Sequence, residues 1–270
     1  MTSLSESRSE LDAMIADIEL TLVSIIQGVA LTVLIEASRE AIAKLDWVMW
    51  PYVLSGLIII LVFWSRVVLH ILTVIRWPLE FGHNFLYIAC ALVEAFSFAQ
   101  LGNPARWFAF VAAFLAVGWL LFAYDLRLIR MRVRDRTGDV SNRLYALVTR
   151  DQWLNLGLLL PAFFLVNVAC AVAIHLRPEF FLARDGHIWL IALQLVAFGG
   201  YLSYVVIFYN KLAPLIAEAR AEWRAKKPCQ WDFHLADEHG LETFSEPRPL
   251  HQCVQLVPHL KKVEVCSPEK

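Results

Sequence analysis

The sequence predicts an all-α integral membrane protein with six transmembrane helices, both termini in the cytoplasm and a short cytoplasmic tail. Of its 270 residues, 59% are hydrophobic and only 18% are charged, too few charges to cover that much apolar side chain in a soluble globule. Six apolar stretches are also long enough, or nearly so, to cross a hydrocarbon core of about 30 Å as helices. The basic residues are concentrated in the loops on one side of the predicted membrane.

The six stretches cover 20–35, 50–75, 85–101, 107–124, 153–176 and 188–209. Four prolines lie at or just outside their limits, where a missing N–H costs little: Pro51, Pro78, Pro104 and Pro178. Tryptophans flank the stretches, as in the aromatic belts at membrane surfaces. Pro161 lies inside the fifth stretch and predicts a local irregularity there.

Basic residues predict the orientation. The loop between the fourth and fifth stretches holds seven arginines, and 211–227 holds five basic residues, whereas the opposite loops hold far fewer. The positive-inside rule therefore places both termini in the cytoplasm, and an even number of spans requires the two termini to share a side. Four of the loop arginines alternate with apolar residues and are predicted to contact lipid phosphates: Arg127, Arg130, Arg132 and Arg134.

The chain is predicted to comprise a six-helix transmembrane domain at 1–210, with an amphipathic N-terminal lead-in, and a cytoplasmic segment at 211–270. That segment begins as a helix and continues as a partly ordered tail rich in Cys and His, whose spacing differs from the short pairs of structural zinc sites. That spacing predicts no metal site, and no cofactor is predicted. No nucleic-acid partner is predicted either, since the net charge is only −1 and no recognition module is present. No catalytic fingerprint appears either, so the protein is not expected to be an enzyme.

Polar residues inside the apolar stretches are the first functional candidates, because the bilayer core offers them no water. One face of the second stretch carries Tyr52, Ser55, Arg66 and His70. Glu94 lies at a similar depth in the third stretch, on a face that it shares with Tyr87. We predict an Arg66–Glu94 ion pair, with Gln27 and His70 within one helical turn of it. Two roles stay open for this polar cluster: fixing helix packing, or taking part in permeation, proton relay or gating.

The first stretch carries small and polar residues at helical spacing, namely Thr21, Ser24, Gly28, Thr32 and Glu36. Such a stripe either permits close helix packing or lines a water-filled path.

A family resemblance bears on this choice. Two segments of the second stretch carry it: Trp50–Ser55 at its start, and Phe63-Trp64-Ser65-Arg66 with His70 toward its end. They resemble the bacterial six-span branch of the endolysosomal potassium-channel family. The Phe-Ser-Asp signature of that family is absent from the first stretch. The resemblance covers about 19–210. It implies a homotetrameric cation pore lined by the first helix, in the cell membrane of a bacterium. The pore-lining candidates that it implies are Ser24, Ile25, Gln27, Gly28 and Thr32.

The first functional hypothesis is therefore an oligomeric, ion-conducting membrane protein whose first helix lines the path. The alternative is a non-conducting membrane anchor or sensor that recruits a cytoplasmic partner through the arginine-rich loop and 211–270. An intramembrane enzyme or carrier has no positive sequence support.

Overall fold

The structure is a computed structural model of the chain, and it describes residues 4–44, 46–73, 81–133, 139–226, 229–237 and 240–248. The helices are α1 (Leu4–Ala43), α2 (Trp50–Thr73), α3 (Phe81–Phe98), α4 (Pro104–Val133), α5 (Asp139–Leu154), α6 (Leu160–Leu176), α7 (Pro178–Phe181) and α8 (His187–Lys226). A π-helical segment, Asn155–Leu159, joins α5 to α6.

Among the described residues, six helical spans are long and apolar enough to cross a membrane, which confirms the predicted fold class. They are Asp17–Ala43, Trp50–Ile71, Phe81–Phe98, Pro104–Met131, Asn142–Leu176 and His187–Ala219. The first, fourth, fifth and sixth extend beyond the predicted stretches by several residues, and the fifth begins well before its predicted start. The cytoplasmic location of the termini stays a prediction.

The chain divides into two compact units, Met1–Leu212 and Ala213–Lys270. The second unit contains an antiparallel hairpin of two strands, β1 (Cys229–Asp237) and β2 (Gly240–Arg248). Cys229 is paired with Arg248, and Asp237 with Gly240, across the hairpin.

Helix α4 forms the centre of the first unit and packs against α3 and α6, whereas α1 packs mainly against α2 and α3. The start of α4 follows from its sequence: Asn103 caps the helix by accepting a hydrogen bond from the Arg106 N–H at 3.2 Å, and Pro104 occupies the first turn, where no N–H is needed. The next turn places Trp107 in the core, in edge-to-face contact with Tyr52 of α2.

The π-helical segment explains how the bundle accommodates Pro161. In the π register the N–H of Leu160 bonds the carbonyl of Asn155, so the carbonyl of Leu156 would face Pro161, which has no N–H. The indole Nε1–H of Trp119, on α4, donates to that Leu156 carbonyl at 2.9 Å. The predicted irregularity at Pro161 is thus a π-helical turn whose spare carbonyl is satisfied by a neighbouring helix.

Candidate functional site

Arg66 is the largest buried cation among the described side chains, with 1% of its surface exposed. Its Nη1 lies 2.7 Å from Oδ2 of Asp151, and its Nη2 lies 3.3 Å from Oδ1 of the same carboxylate. The Nε–H donates to the hydroxyl of Tyr201 at 3.2 Å. Such a two-point contact is the strongest arrangement of a guanidinium and a carboxylate.

Further polar groups surround this ion pair and complete what we call the Arg66 cluster: Arg66, Asp151, Asn155, Tyr201 and Tyr204. The Tyr204 hydroxyl donates to Oδ1 of Asp151 at 2.5 Å, and the Tyr201 hydroxyl donates to Oδ1 of Asn155 at 2.6 Å. The rings of Tyr201 and Tyr204 also lie within 6 Å of the guanidinium carbon. The buried charges are therefore balanced and hydrogen-bonded, which joins α2, α5, the π segment and α8 inside the membrane.

The predicted Arg66–Glu94 ion pair is wrong. The side of α2 that carries Arg66 faces α5 and α8, whereas Glu94 projects from α3 toward Gln27 of α1. Similar depth in the membrane does not bring two side chains together when they project in different directions. The true partner, Asp151, lies two residues before the predicted fifth stretch and so outside the set of intramembrane candidates.

His70 belongs to a second group of polar side chains, the Asp125 cluster, made of His70, His83, Asp125 and Gln152. Nδ1 of His70 lies 2.7 Å from Oδ2 of Asp125, and Nδ1 of His83 lies 2.7 Å from Oδ1. The side-chain amide nitrogen of Gln152 contacts Nε2 of His70. Each carboxylate oxygen of Asp125 therefore faces an imidazole nitrogen, one from α2 and the other from α3.

Sequence reasoning missed three titratable members of these two clusters for one common reason. Asp125, Asp151 and His83 each lie within two residues of a predicted stretch boundary, on its outer side. A boundary drawn at a polar residue near the end of an apolar run excludes that residue, although the helix continues past it and buries its side chain. The available signal was helical spacing, since Asp151 and Asn155 are four residues apart and share a face.

Glu94 is fully buried, with 0% of its surface exposed, and forms the Glu94 cluster with Gln27 and Tyr87. Its Oε2 accepts a hydrogen bond from Nε2 of Gln27 at 3.2 Å. Nε2 of Gln27 also lies 3.4 Å from the Tyr87 hydroxyl, which donates to the carbonyl of Val23 at 3.2 Å. The cluster connects α1 to α3, and Tyr87 and Glu94 share a buried face of α3, in line with their predicted common face.

The other pore-lining candidates lie on the opposite side of α1. Ser24, Ile25, Gly28 and Thr32 are all exposed, and we call this surface, with Thr21 and Glu36, the α1 face. The hydroxyls of Ser24 and Thr32 donate to carbonyls one turn earlier, at 2.9 Å each. Gln27 differs from these candidates, because it is buried against α3 and does not share their face.

Other polar residues of the bundle interior are joined in the same way. Nε1 of Trp107 donates to Oε1 of Gln194 at 2.9 Å, and Nε2 of Gln194 donates to Oδ1 of Asn167 at 2.6 Å. The Tyr52 hydroxyl lies 3.0 Å from Nδ1 of His187. These contacts connect α2, α4, α6 and α8 by hydrogen bonds.

A partly open cavity adjoins Arg66 and Tyr201, and it is small. Its volume is about 60 Å³, and apart from those two residues it is lined mostly by apolar side chains such as Ile59, Phe63 and Phe198. At ~10–15 Å³ for each water, it has space for a few molecules. It does not form a path for a hydrated ion.

The arginines predicted to contact lipid phosphates lie at the end of α4 and beyond it. Arg127 and Arg130 are exposed on α4, and the Arg130 guanidinium lies 5.0 Å from the ring centre of Trp153. The side chains of Arg132 and Arg134 are outside the described residues, as are the Cys and His side chains of the tail. Lipid contact at Arg127 and Arg130 stays a prediction.

Comparison with known proteins gives no relative: no protein-family model, no curated protein and no solved structure matches the chain.

Proposed function

We propose that the protein is a homo-oligomeric cation-conducting membrane protein, in which the α1 faces of neighbouring copies line the path. The observation that supports this most is the placement of Ser24, Gly28 and Thr32. They lie together on an exposed face of a membrane span, whereas Arg66, Asp125 and Glu94 are turned toward the interior of the bundle.

The packing of the described bundle favours a path between copies over a path within one copy. Arg66 and Asp125 are held in internal hydrogen-bonded clusters, and the cavity beside Arg66 is too small for a hydrated ion. The α1 face, by contrast, presents small side chains at Ser24 and Gly28 that permit close approach of a second helix. The hydroxyl oxygens on this face could also contact a cation through their lone pairs, because each hydroxyl uses only its proton in the hydrogen bond to its own helix.

The test is cation flux through the purified protein in liposomes. A cysteine introduced at Thr32 should make the flux sensitive to a positively charged thiol reagent, because the modified side chain would obstruct the path. The matched control is Val196→Cys, since Val196 is also exposed on a membrane span, on α8, with 74% of its surface accessible. Flux that exceeds that of empty vesicles and is blocked only in Thr32→Cys supports the proposal. Absence of flux for both K⁺ and Na⁺ contradicts it.

The alternative, a membrane anchor or sensor that recruits a partner, is favoured by a different observation. The chain forms a second compact unit at Ala213–Lys270, which carries the β1–β2 hairpin. Removal of 229–270 distinguishes the two functions. Flux should persist in the shortened protein if it is a channel, whereas capture of a cytoplasmic protein that is lost with the hairpin would support the alternative.

A further inference from the structure

The Glu94 cluster contains two buried oxygen atoms without a hydrogen-bond partner among the described residues. They are Oε1 of Glu94 and Oε1 of Gln27, and these side chains are 0% and 4% exposed. Both atoms are acceptors. The donors on hand are already used, since the Gln27 amide faces Glu94 and Tyr87, and the Tyr87 hydroxyl donates to Val23.

Glu94 also makes no ion pair with any described residue. The basic side chains buried in the bundle are engaged elsewhere, because Arg66 is paired with Asp151, and both His70 and His83 face Asp125. The ring of Phe63 stacks on Tyr87 at 5.3 Å and forms an apolar wall on the α2 side of the cluster. A carboxylate in this position costs several kcal/mol unless a positive charge balances it.

The groups around the two unpaired acceptors limit what could balance that charge. The cluster presents a carboxylate, an amide oxygen and a phenolic oxygen, which are hard ligands suited to alkali and alkaline-earth cations rather than to soft metals. It contains one carboxylate, so a monovalent ion gives neutrality where a divalent ion would leave a buried positive charge. A proton on Oε1 of Glu94 is the competing way to neutralise the charge, because it turns that oxygen into a donor for Oε1 of Gln27. A metal ion would instead use both oxygens as ligands, so the two cases differ in whether stability follows pH or the Na⁺ concentration.

We propose that Glu94 and Gln27, together with the Tyr87 oxygen, bind one alkali-metal cation of the size of Na⁺ between α1 and α3. The bound ion would tie the buried side of α1 to α3 and so stabilise the position from which the α1 face is presented. The site does not depend on conduction, since it could bind an ion in a protein that carries no current.

The experiment measures thermal unfolding of the full-length protein in detergent, in NaCl and in choline chloride at equal ionic strength and pH. A ligand that binds only the folded state raises the melting temperature in a saturable way. We expect Na⁺ to raise the melting temperature of the unmodified protein. Glu94→Gln, which keeps the shape of the side chain but removes its charge, should melt at the same temperature in both salts.

Two further variants distinguish the site from a general salt effect. Ser97→Ala changes another buried residue on the same face of α3 and should keep the full response to Na⁺. Gln27→Leu removes the amide oxygen proposed as a ligand, together with the Nε2–H bond to Glu94, and should raise the half-saturating Na⁺ concentration about tenfold, which corresponds to about 1.4 kcal/mol of binding free energy. The proposal is overturned if the melting temperature is the same in both salts, if it follows pH but not Na⁺, or if Glu94→Gln retains the response.

Discussion

Nη1 of Arg66 lies 2.7 Å from Oδ2 of Asp151, and the two side chains are only 2% and 1% exposed. This ion pair joins residues from α2 and α5 that are separated by 85 positions in the chain. With Tyr201 and Tyr204 it converts what would be two buried charges into a neutral, hydrogen-bonded contact between helices.

Loss of one partner in this pair should be strongly destabilising. Asp151→Ala leaves the Arg66 guanidinium buried without a counter-charge, and removal of one member of a buried pair costs about 3–5 kcal/mol. Thermal unfolding in detergent measures the loss. Glu40→Ala is the control, since Glu40 and Lys44 form an exposed i,i+4 pair on α1 and such pairs contribute little. Equal melting temperatures for the two variants would show that the Arg66 pair does not hold the bundle together.

Asp125 should be sensitive even to an isosteric change. Asp125→Asn replaces one acceptor oxygen by an amide nitrogen that faces a histidine N–H. A carboxylate can accept from Nδ1–H groups of both His70 and His83, whereas an Asn side chain has one oxygen and can accept from only one of them. The loss of a hydrogen bond to a charged group is about 1.5–3 kcal/mol, and thermal unfolding in detergent measures it.

The control for Asp125→Asn is Asp46→Asn, which makes the same chemical change outside the bundle core. Asp46 accepts one hydrogen bond from the Val48 N–H at 3.1 Å, and an Asn oxygen can accept the same bond. Its melting temperature should therefore stay close to that of the unmodified protein. A smaller loss of stability in Asp125→Asn than in Asp46→Asn would contradict the arrangement described for His70.

The contact between Trp119 and the π-helical segment predicts a coupled effect with Pro161. Trp119→Phe removes the indole N–H and leaves the Leu156 carbonyl unpaired, at a cost of about 1–3 kcal/mol. In a Pro161→Ala background the same change should cost less, because the introduced alanine supplies an N–H to the helix. A double-mutant cycle of unfolding measured by circular dichroism gives the coupling. Strict additivity of the two changes in unfolding free energy would mean that Trp119 does not replace the missing N–H of Pro161 as the partner of the Leu156 carbonyl.

The helices and their buried faces could be predicted from the sequence, because both follow from apolar length and helical spacing. Helical spacing puts Tyr52, Ser55, Arg66 and His70 on one face of the second stretch, and all four are buried. The partner of Arg66 could not be found in this way. Depth in a membrane helix gives one coordinate, whereas the direction of a side chain depends on the order of helices around the bundle, which hydropathy does not contain.

The two sides of α1 show the same limit. Helical spacing grouped Ser24, Gly28 and Thr32 correctly on one face, but Gln27 was placed beside them as a pore-lining candidate. The structure turns Gln27 toward Glu94 instead. A Gln one residue from a small-residue stripe lies about 100° around the helix, so whether it faces the stripe or the bundle depends on the neighbouring helix rather than on α1.

The most direct measurement of the central claim, that α1 faces meet between copies, is cysteine cross-linking in native membranes. Gly28→Cys places a thiol on the α1 face, where no described atom lies within 4 Å of the added Cβ. Of the five native cysteines, Cys90 and Cys170 are buried, and Cys229, Cys253 and Cys266 are replaced by serine in all the proteins compared. The protein with these three replacements alone, and the same protein carrying Val196→Cys, serve as controls. Mild oxidation should give disulfide-linked dimers of Gly28→Cys but not of the controls. A Gly28→Cys protein that stays monomeric, or that cross-links no more than Val196→Cys, would contradict the claim.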